Sequence, residues 1–417
     1  MELVVTGPDP DFLPQLTPVK KRKKTKMTTT FESLFHNLSE PIIQGKDNGR
    51  YPYGMAFDSS QNATSSLGSR EVLMLTSNNY LGLADHPRVV AAASDALSRY
   101  GVSTCGSRLH NGTTTLHCEL ERKIADWLGY EDAVLFGSGF MANLGVLGAM
   151  GSKDAVVITD GENHESIRAG YTLGGSPVRI FAHNDLEKLE YILHKCQSFE
   201  RRLVVVEGVY SMSGDIAPLR EIADLCKQYG ALLVVDDAHG VGVMGQSGRG
   251  TVETFDVKPD IIIGTFSKSL GSYGGFAVAS REAIEFIRHT ASAFILSAAP
   301  AASLVAAASE ALSIIQDEPR IRRNLWRNTM LFRQRLLDSG FDIQNKPSPI
   351  IPIQVGDEKK AIGISARLKD EGIFLSPSVF PAVPRGSGLL RITCTAQLES
   401  DQIERAVARI EAAFKNQ

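Results

Sequence analysis

The chain has 417 residues, of which 43% are hydrophobic and 22% are charged, so it can form a large core and is not a disordered protein. Its 44 basic and 47 acidic residues give a net charge of −3, which argues against nucleic acid or an anionic membrane as the main partner. No stretch approaches the roughly 18 consecutive apolar residues of a membrane helix, and the five cysteines are scattered without a CxxC motif, which indicates neither a zinc knuckle nor a disulfide framework.

The N-terminal part of the chain is predicted to be a tail followed by an arm. Residues 1–30 are rich in proline and threonine and contain the basic run "KKRKKTK" from Lys20 to Lys26. Such a run is typical of a solvated, disordered tail, with nuclear import or binding to an anionic surface as the minority interpretation. A helical segment from Phe31 to Arg50 and a strand from Val72 to Leu75 follow in a predicted arm, residues 31–80. Because no basic-then-apolar signal peptide precedes them, we predict a cytoplasmic protein.

The middle of the chain, residues 81–335, alternates short apolar strands with amphipathic helices. The predicted strands are Ala133–Phe136, Ala155–Thr159, Arg202–Gly208, Leu232–Asp237 and Asp260–Gly264. Fully apolar, β-branched strands separated by helices indicate a mostly parallel sheet that is covered on both faces. In such a sheet the ligand binds at the carboxyl ends of the strands. We therefore predict an α/β fold with this part as the large domain.

The last part of the chain has an α+β pattern. A long helical region is predicted from Arg281 to Ser339. Short strands, a helix around Lys359 to Glu371 and a final amphipathic helix follow it. We predict a second, smaller C-terminal domain over residues 336–417.

Chemically active side chains follow the predicted strands. A Gly-Ser-Gly turn before a helix leaves backbone N–H groups free for a phosphate, although it is also ordinary turn chemistry. The fourth strand ends in Asp236 and Asp237, followed by His239, and for either acid alone a helix cap or a surface turn is as good an interpretation as a functional role. Lys268 follows the fifth strand. Together these groups suit pyridoxal phosphate, whose aldehyde needs a lysine and whose ring nitrogen needs a carboxylate.

Six motifs resemble those of the α-oxoamine synthases, which are pyridoxal-phosphate enzymes of fold type I. They are "NNYLGL", "FGSGFMAN", "NHESI", "EGVYSMSGD", "VDDAHGVGVMGQSGRG" and "TFSKSLGSYGG". The resemblance runs from about Leu73 to the C-terminus. It implies a homodimer that condenses an amino acid with an acyl-CoA or carrier-bound acyl thioester, usually with loss of CO2, to give an α-amino ketone.

The resemblance also implies roles for the residues around the cofactor ring. Lys268 would form the Schiff base with the cofactor and then carry the Cα proton. Asp236 would pair with the pyridine nitrogen, and His164 would stack on the ring face. His239 and Ser211 would hydrogen-bond the oxygen side of the ring. These assignments come from the motifs, since an isolated histidine otherwise fits a core or cap position.

Two further groups of residues are implied by the same resemblance. The backbone N–H groups of Gly139 and Phe140, with the hydroxyl of Thr265, would hold the cofactor's phosphate. Asn78 and Arg391 would hold the carboxylate of the amino acid, Arg391 through two parallel hydrogen bonds. Without the resemblance, Arg391 in a short strand fits an ordinary surface residue.

Three departures from the family pattern leave the acyl donor open. Ala382 stands where 8-amino-7-oxononanoate synthases tend to have a threonine in a Pro-rich loop. Before Pro300, only Ser297 remains of a polar run that reaches the partner subunit's phosphate in the family. The stretch from Ser107 to Glu121 resembles serine palmitoyltransferases more than the biotin-pathway members.

Two other functions stay open on the sequence. One is a different pyridoxal-phosphate reaction on the same fold, such as transamination or aldol-type cleavage. The other is a non-catalytic partner subunit of a heteromeric synthase. The presence of Lys268, Asp236 and His239 argues against the second.

Overall fold

The computed structural model describes residues 43, 45–47, 51–343 and 346–415. The chain divides into two units, Met1–Tyr51 and Pro52–Gln417, and all elements with the bounds below lie in the second. The predicted basic tail lies outside the described residues, as does most of the helical segment predicted between Phe31 and Arg50. The predicted boundary between a large and a small domain at residue 335 stays a prediction.

The strands are short and mostly buried. In chain order they are β1 (Thr64–Leu67), β2 (Arg70–Met74), β3 (Asp132–Phe136), β4 (Ala155–Asp160), β5 (Val178–Phe181), β6 (Arg201–Glu207), β7 (Leu232–Asp236), β8 (Ile261–Thr265), β9 (Gly275–Ala279), β10 (Ile350–Gly356), β11 (Ile373–Phe374), β12 (Pro377–Ser378) and β13 (Gly388–Thr393). The five strands predicted in the middle of the chain agree with β3, β4, β6, β7 and β8 to within one residue at each end.

Helices separate most of these strands. In chain order they are α1 (Pro87–Tyr100), α2 (Thr115–Leu128), α3 (Gly139–Met150), α4 (Glu165–Gly174), α5 (Leu186–Lys195), α6 (Leu219–Tyr229), α7 (Thr251–Phe255), α8 (Arg281–Thr290), α9 (Ser292–Ile295), α10 (Ala302–Asp317), α11 (Pro319–Asp338), α12 (Glu358–Asp370) and α13 (Ser400–Lys415). Among the described residues, no helix combines the length and the apolar character that a membrane span requires.

The largest sheet has seven strands in the order β3-β9-β8-β7-β6-β4-β5. All neighbouring pairs are parallel except the two that β9 makes, which are antiparallel. Successive residues of one strand, such as Val204 and Val205, belong to two separate apolar clusters. Both faces of the sheet are therefore covered, because alternate side chains of a strand point to opposite faces. The predicted mostly parallel α/β sheet is confirmed.

Two features of this part differ from the sequence-based expectation. The strands β5 and β9 were not predicted; β9, "GFAVA", is short, begins with glycine and directly follows the glycine-rich stretch after Lys268. The helical region expected from Arg281 to Ser339 consists of four helices, α8 to α11. One of the breaks contains Pro300, which lacks the N–H that a continuing helix would need.

Two three-stranded sheets connect distant parts of the chain. In one, β11 pairs in parallel with β2, and in the other β13 lies between β10 and β12. The backbone N–H of Thr393 donates to the carbonyl of Leu75 at 2.8 Å, which joins the end of β13 to the segment that follows β2. This contact brings Arg391, on β13, to the segment that contains Asn78.

Candidate active site

Lys268 lies three residues beyond β8, at the carboxyl edge of the large sheet. Its Nζ is 2.8 Å from Nε2 of His239, and the other ring nitrogen of His239, Nδ1, is 2.7 Å from the hydroxyl of Tyr80. His239 and Tyr80 are almost fully buried, whereas Lys268 is half-buried. The amine of Lys268 is thus fixed from one side by a buried imidazole and open to the site on the other.

The electrostatic environment favours the neutral form of this amine. Burial lowers the pKa of Lys268 to about 8, against the opposing effect of the Asp236 and Glu207 carboxyls. Burial also lowers the pKa of His239 well below its usual range, and the positive charges of Lys268 and Arg391 add to the effect. Near neutral pH, His239 is therefore uncharged and a useful fraction of Lys268 is a free amine.

Asp236 closes β7 and is 6% exposed. Its Oδ1 accepts the backbone N–H of Ala238 at 3.0 Å, and its Oδ2 accepts the side-chain amide of Asn143 at 2.6 Å. The same amide donates to the hydroxyl of Ser166 at 3.0 Å. That hydroxyl lies 2.8 Å from Nδ1 of His164. A chain of hydrogen bonds therefore connects Asp236 to His164 through Asn143, which is fully buried on α3.

His164 is the residue that caps the N-terminus of α4. Its Nδ1 accepts the backbone N–H of Ser166 at 3.2 Å, while its own backbone N–H donates to Glu207 at 2.5 Å. The ring is exposed and lies edge-on to that of Phe140, with 6.5 Å between the ring centroids. Burial of part of the ring and the charge of Lys268 lower the pKa of His164, although Asp236 acts in the opposite direction. The imidazole is held at the mouth of the site next to Asp236.

The start of α3 forms a cradle of backbone N–H groups. The first N–H groups of a helix have no acceptor within the helix, and among the described residues the Ser138 hydroxyl accepts that of Met141 alone, at 3.1 Å. A side chain at Gly275 would place its Cβ 2.5 Å from the carbonyl oxygen of Ser138, so only glycine fits there. Thr265 lies against Gly139 and its hydroxyl donates to the carbonyl of Gly274 at 2.9 Å. Gly139 and Phe140 are the first two helical residues of this cradle.

Arg391 and Asn78 lie on the opposite side of the site. The Nη2 of Arg391 donates to Oδ1 of Asn78 at 3.1 Å, and its Nε donates to the backbone carbonyl of Ser211 at 2.5 Å. Its Nη1 donates to the hydroxyl of Thr393 at 2.8 Å. These three bonds fix a guanidinium that is 8% exposed. A cavity of about 330 Å³ lies beside Asn78, its hydrogen-bond partner, and is lined by Asn78 and Lys268, among others.

The two adjacent acids after β7 have different environments. Asp237 is fully buried and accepts both the backbone N–H and the hydroxyl of Thr251, at 2.8 and 2.9 Å. Thr251 is the first residue of α7, so Asp237 accepts the first N–H of that helix from outside it, and Gly250 is in the N-cap position. The sequence allowed a helix cap, a surface turn or a functional role for each acid, and Asp237 therefore has the capping role. Asp236 remains available to the site.

The structure brings all of the predicted site residues to one edge of the large sheet or to the segments that cover it. Sequence reasoning missed three residues that hold them: Tyr80, Asn143 and Glu207. Each lies inside a quoted motif, "NNYLGL", "FGSGFMAN" or "EGVYSMSGD". Their roles could not be predicted, because each acts through hydrogen bonds to residues that are distant in the chain. The sequence alone does not show which residues those are.

This set of groups fits pyridoxal phosphate. It combines an amine of lowered pKa, a buried carboxylate on a neighbouring strand and a cradle of free N–H groups from which side chains are excluded. In addition, the side-chain amide oxygen of Asn143, Oδ1, is buried and has no partner within the described residues. Amine, carboxylate and N–H cradle correspond to the aldehyde, the ring nitrogen and the phosphate of this cofactor.

Comparison with known proteins gives the same result. Residues 70–410 match the family model "Aminotransferase class I and II". A serine palmitoyltransferase from Sphingobacterium spiritivorum is 40% identical over 387 residues, which cover 92% of this chain and 96% of that protein. An 8-amino-7-oxononanoate synthase from Bacillus pumilus is 38% identical over 383 residues, 91% of this chain and 98% of that protein. A solved serine palmitoyltransferase from S. paucimobilis, with PLP and myriocin bound, superposes with a TM-score of 0.89 and 32% identity over 93% of this chain and 99% of that one.

Proposed function

Because the chain belongs to the aminotransferase class I and II family, as an α-oxoamine synthase, we propose that it condenses an amino acid with an acyl thioester, using Lys268 as its catalytic amine. The enzyme is a pyridoxal-phosphate-dependent acyltransferase, and its product is an α-amino ketone. The main observation that supports Lys268 as the catalytic amine is its position. Its amine faces a neutral, buried His239 at 2.8 Å, at the same sheet edge as the buried Asp236.

Different residues would hold different parts of the cofactor. When bound, pyridoxal phosphate supplies an aldehyde that a lysine amine captures and a protonated ring that withdraws electrons from the Cα of the amino acid. Asp236 would keep the ring nitrogen protonated, because a negative charge in a buried site stabilises a cation. Gly139 and Phe140 would hold the phosphate with their N–H groups, and Thr265 would add its hydroxyl by turning the proton away from the carbonyl of Gly274.

Lys268 would then move the proton at Cα. Its neutral form is the base, and the neutral form is accessible because its pKa is lowered to about 8. His239 holds the amine through Nε2 and is itself oriented by the hydroxyl of Tyr80. Burial raises the pKa of Tyr80 to about 12, so that hydroxyl stays protonated at every working pH. His239 and Tyr80 therefore orient the amine of Lys268 through hydrogen bonds while both remain uncharged.

Arg391 would bind the carboxylate of the amino acid with the help of Asn78. Replacing Arg391 by lysine keeps the charge but removes the planar group that makes three hydrogen bonds. We expect KM for the amino acid to rise by about 10- to 100-fold, which corresponds to the loss of a hydrogen bond to a charged group. Steady-state kinetics at saturating thioester would measure it.

Arg322 provides the matched control for that variant. It is also buried, and its guanidinium donates to the backbone carbonyl of Gln246, away from the site. Arg322→Lys is expected to lower thermal stability and to leave KM unchanged. An unchanged KM in Arg391→Lys would contradict the carboxylate assignment.

A matrix of amino acids against acyl thioesters tests the reaction itself. Serine, alanine and glycine would be combined with CoA thioesters of increasing chain length, with release of thiol and product mass as readouts. Thiol release coupled to loss of CO2 supports the proposal. An α-keto acid formed without thiol release would indicate transamination, and an aldehyde released from a β-hydroxy amino acid would indicate aldol-type cleavage. No turnover with any pair would support a non-catalytic partner subunit.

We also propose that the enzyme is a cytoplasmic homodimer. Two large apolar side chains, Val102 and Leu296, are 78% and 84% exposed, and they lie in segments joined by a β-bridge between Ser107 and Ala298. Large apolar side chains that are this exposed on neighbouring segments are expected where a second subunit covers them. Leu296→Glu is expected to convert the dimer to monomers with loss of activity, measured by sedimentation velocity.

The control for the dimer is Leu173→Glu, which adds the same charge at another exposed leucine. This variant should stay dimeric. A wild-type enzyme that sediments as a fully active monomer would refute the proposal.

A further inference from the structure

Glu207 is a buried acid at the centre of the site to which none of the steps above assigns a task. It is the last residue of β6, and it lies directly opposite Asp236 of β7 in the register of the sheet. Its side chain is 3% exposed. A carboxyl group in such a position is strongly destabilising unless polar groups compensate for the lost water.

Two backbone N–H groups provide that compensation, and they belong to two different loops. The N–H of His164 donates to Oε1 of Glu207 at 2.5 Å. The backbone N–H of Ser211 also acts on this carboxyl group and favours its charged form. The first loop follows β4 and leads into α4, and the second follows β6. One carboxyl group therefore binds the first loop and interacts with the second, and both loops flank Asp236.

The second loop also carries Arg391. The backbone carbonyl of Ser211 accepts the Nε of Arg391 at 2.5 Å. Because the N–H of Ser211 acts on Glu207 and its carbonyl accepts from Arg391, the backbone of Ser211 links Glu207 to the guanidinium. On the other side, Asn163 accepts the backbone N–H of Glu207 at 3.1 Å, which strengthens the connection to the His164 loop.

Glu207 does not need a negative charge to accept backbone N–H groups. Burial and the neighbouring Asp236 carboxylate raise the pKa of Glu207 to about 8, so the group is mostly protonated at neutral pH. Its oxygens still accept hydrogen bonds in that form. Replacement by glutamine therefore changes little charge and removes one of two acceptor oxygens.

We propose that Glu207 is a positioning residue that fixes His164 and, through Ser211, Arg391 in their working positions. The contacts with His164 and Ser211 do not depend on the reaction, whereas the expected kinetic effect rests on the proposed function. Structure and kinetics can therefore be tested separately.

Hydrogen exchange of the cofactor-free enzyme tests the contacts. In Glu207→Gln, at least one of the peptides that contain the amides of His164 and Ser211 is expected to exchange about 5- to 100-fold faster than in the wild type, since one acceptor oxygen is lost. The peptide that contains Thr251 should not change. The matched control is Asp237→Asn, which alters a buried carboxyl group one residue from Asp236 and should speed exchange at Thr251 alone.

Kinetics of the same variants test the consequence. Glu207→Gln should raise KM for the amino acid about 10-fold and lower kcat by less, because Arg391 loses its fixed position. The affinity of the cofactor-free enzyme for pyridoxal phosphate, measured by fluorescence titration, should stay within about twofold, since the cradle at α3 does not contact Glu207. Asp237→Asn should lower thermal stability and leave KM unchanged.

Three results would overturn the proposal. They are unchanged exchange at His164 and Ser211, an equal rise of KM in Asp237→Asn, and a fall of kcat without a rise of KM. If Glu207→Gln does not fold, Glu207→Asp replaces it, because its shorter side chain cannot reach both loops. Faster exchange in an enzyme that condenses no amino acid with any thioester would refute the proposed function and leave the contacts of Glu207 established.

Discussion

Replacing Lys268 by alanine is expected to reduce turnover by more than about 10⁴-fold. A positioned base that transfers a proton contributes about 10²–10⁴-fold by itself, and this variant also loses the amine that captures the cofactor's aldehyde. Lys268→Arg should not restore activity, because a guanidinium stays protonated and cannot act as a base or nucleophile. Single-turnover release of thiol with purified enzyme, amino acid and acyl thioester would measure the loss.

The cofactor should still bind to Lys268→Ala. The cradle at Gly139 and Phe140 and the carboxylate of Asp236 do not involve the lysine, so equilibrium dialysis should show bound pyridoxal phosphate. Treatment with borohydride should attach the cofactor to the wild type and not to the variant. Release of thiol at a near wild-type rate in Lys268→Ala would show that another residue is the catalytic amine.

A second lysine serves as the control for this experiment. Lys123 is partly buried, and its amine donates to the backbone carbonyl of Ser309 at 2.6 Å and lies 2.5 Å from the hydroxyl of Ser313. Burial lowers its pKa as well. Lys123→Ala should reduce thermal stability with turnover retained, so that a lost buried amine alone cannot explain the effect at Lys268.

The reaction of Lys268 with the cofactor should depend on pH in a defined direction. Its pKa in the folded protein is about 8, below the usual value for lysine. The neutral fraction, and with it the rate at which added cofactor becomes fixed by borohydride, should therefore rise as the pH increases through about 8. At a pH two units lower, only about one amine in a hundred is neutral.

Replacing Asp236 by asparagine is expected to lower turnover by at least about 10²-fold while the cofactor still binds. A neutral amide cannot keep the ring nitrogen protonated, and removal of a single electrostatic group at a reacting centre typically costs about 10²–10³-fold. Most of the surrounding structure should persist, since an asparagine oxygen can still accept from Asn143 or from the backbone N–H of Ala238, although not from both. Covalent attachment through Lys268 should be preserved.

The variant Asp237→Asn distinguishes a loss of catalysis in Asp236→Asn from a general loss of stability. Asp237→Asn removes a buried carboxylate that caps α7 through Thr251. It should cost stability, measured by thermal unfolding, and leave the rate per folded enzyme near that of the wild type. Near-normal turnover in a well-folded Asp236→Asn enzyme would mean that Asp236 is not the partner of the ring nitrogen.

Local sequence determined the sheet and the chemistry at its edge. The runs of β-branched residues that became β4, β6, β7 and β8 are apolar on both faces, and this pattern has few solutions other than a parallel sheet between helices. Because parallel strands end at the same edge, Asp236, His239 and Lys268 had to converge wherever the sheet formed. Their convergence was therefore predictable from a chain of 417 residues without any knowledge of long-range contacts.

Only the tertiary structure decided which groups hold these residues in place. Arg391 meets Asn78 across 313 positions of the chain, and Tyr80 meets His239 across 159. Glu207 is an ordinary strand residue until β6 and β7 pair, and only then does it lie opposite Asp236. Local periodicity specifies which face of an element is buried, but a hydrogen bond between distant segments depends on how the elements pack, which no short stretch of residues encodes.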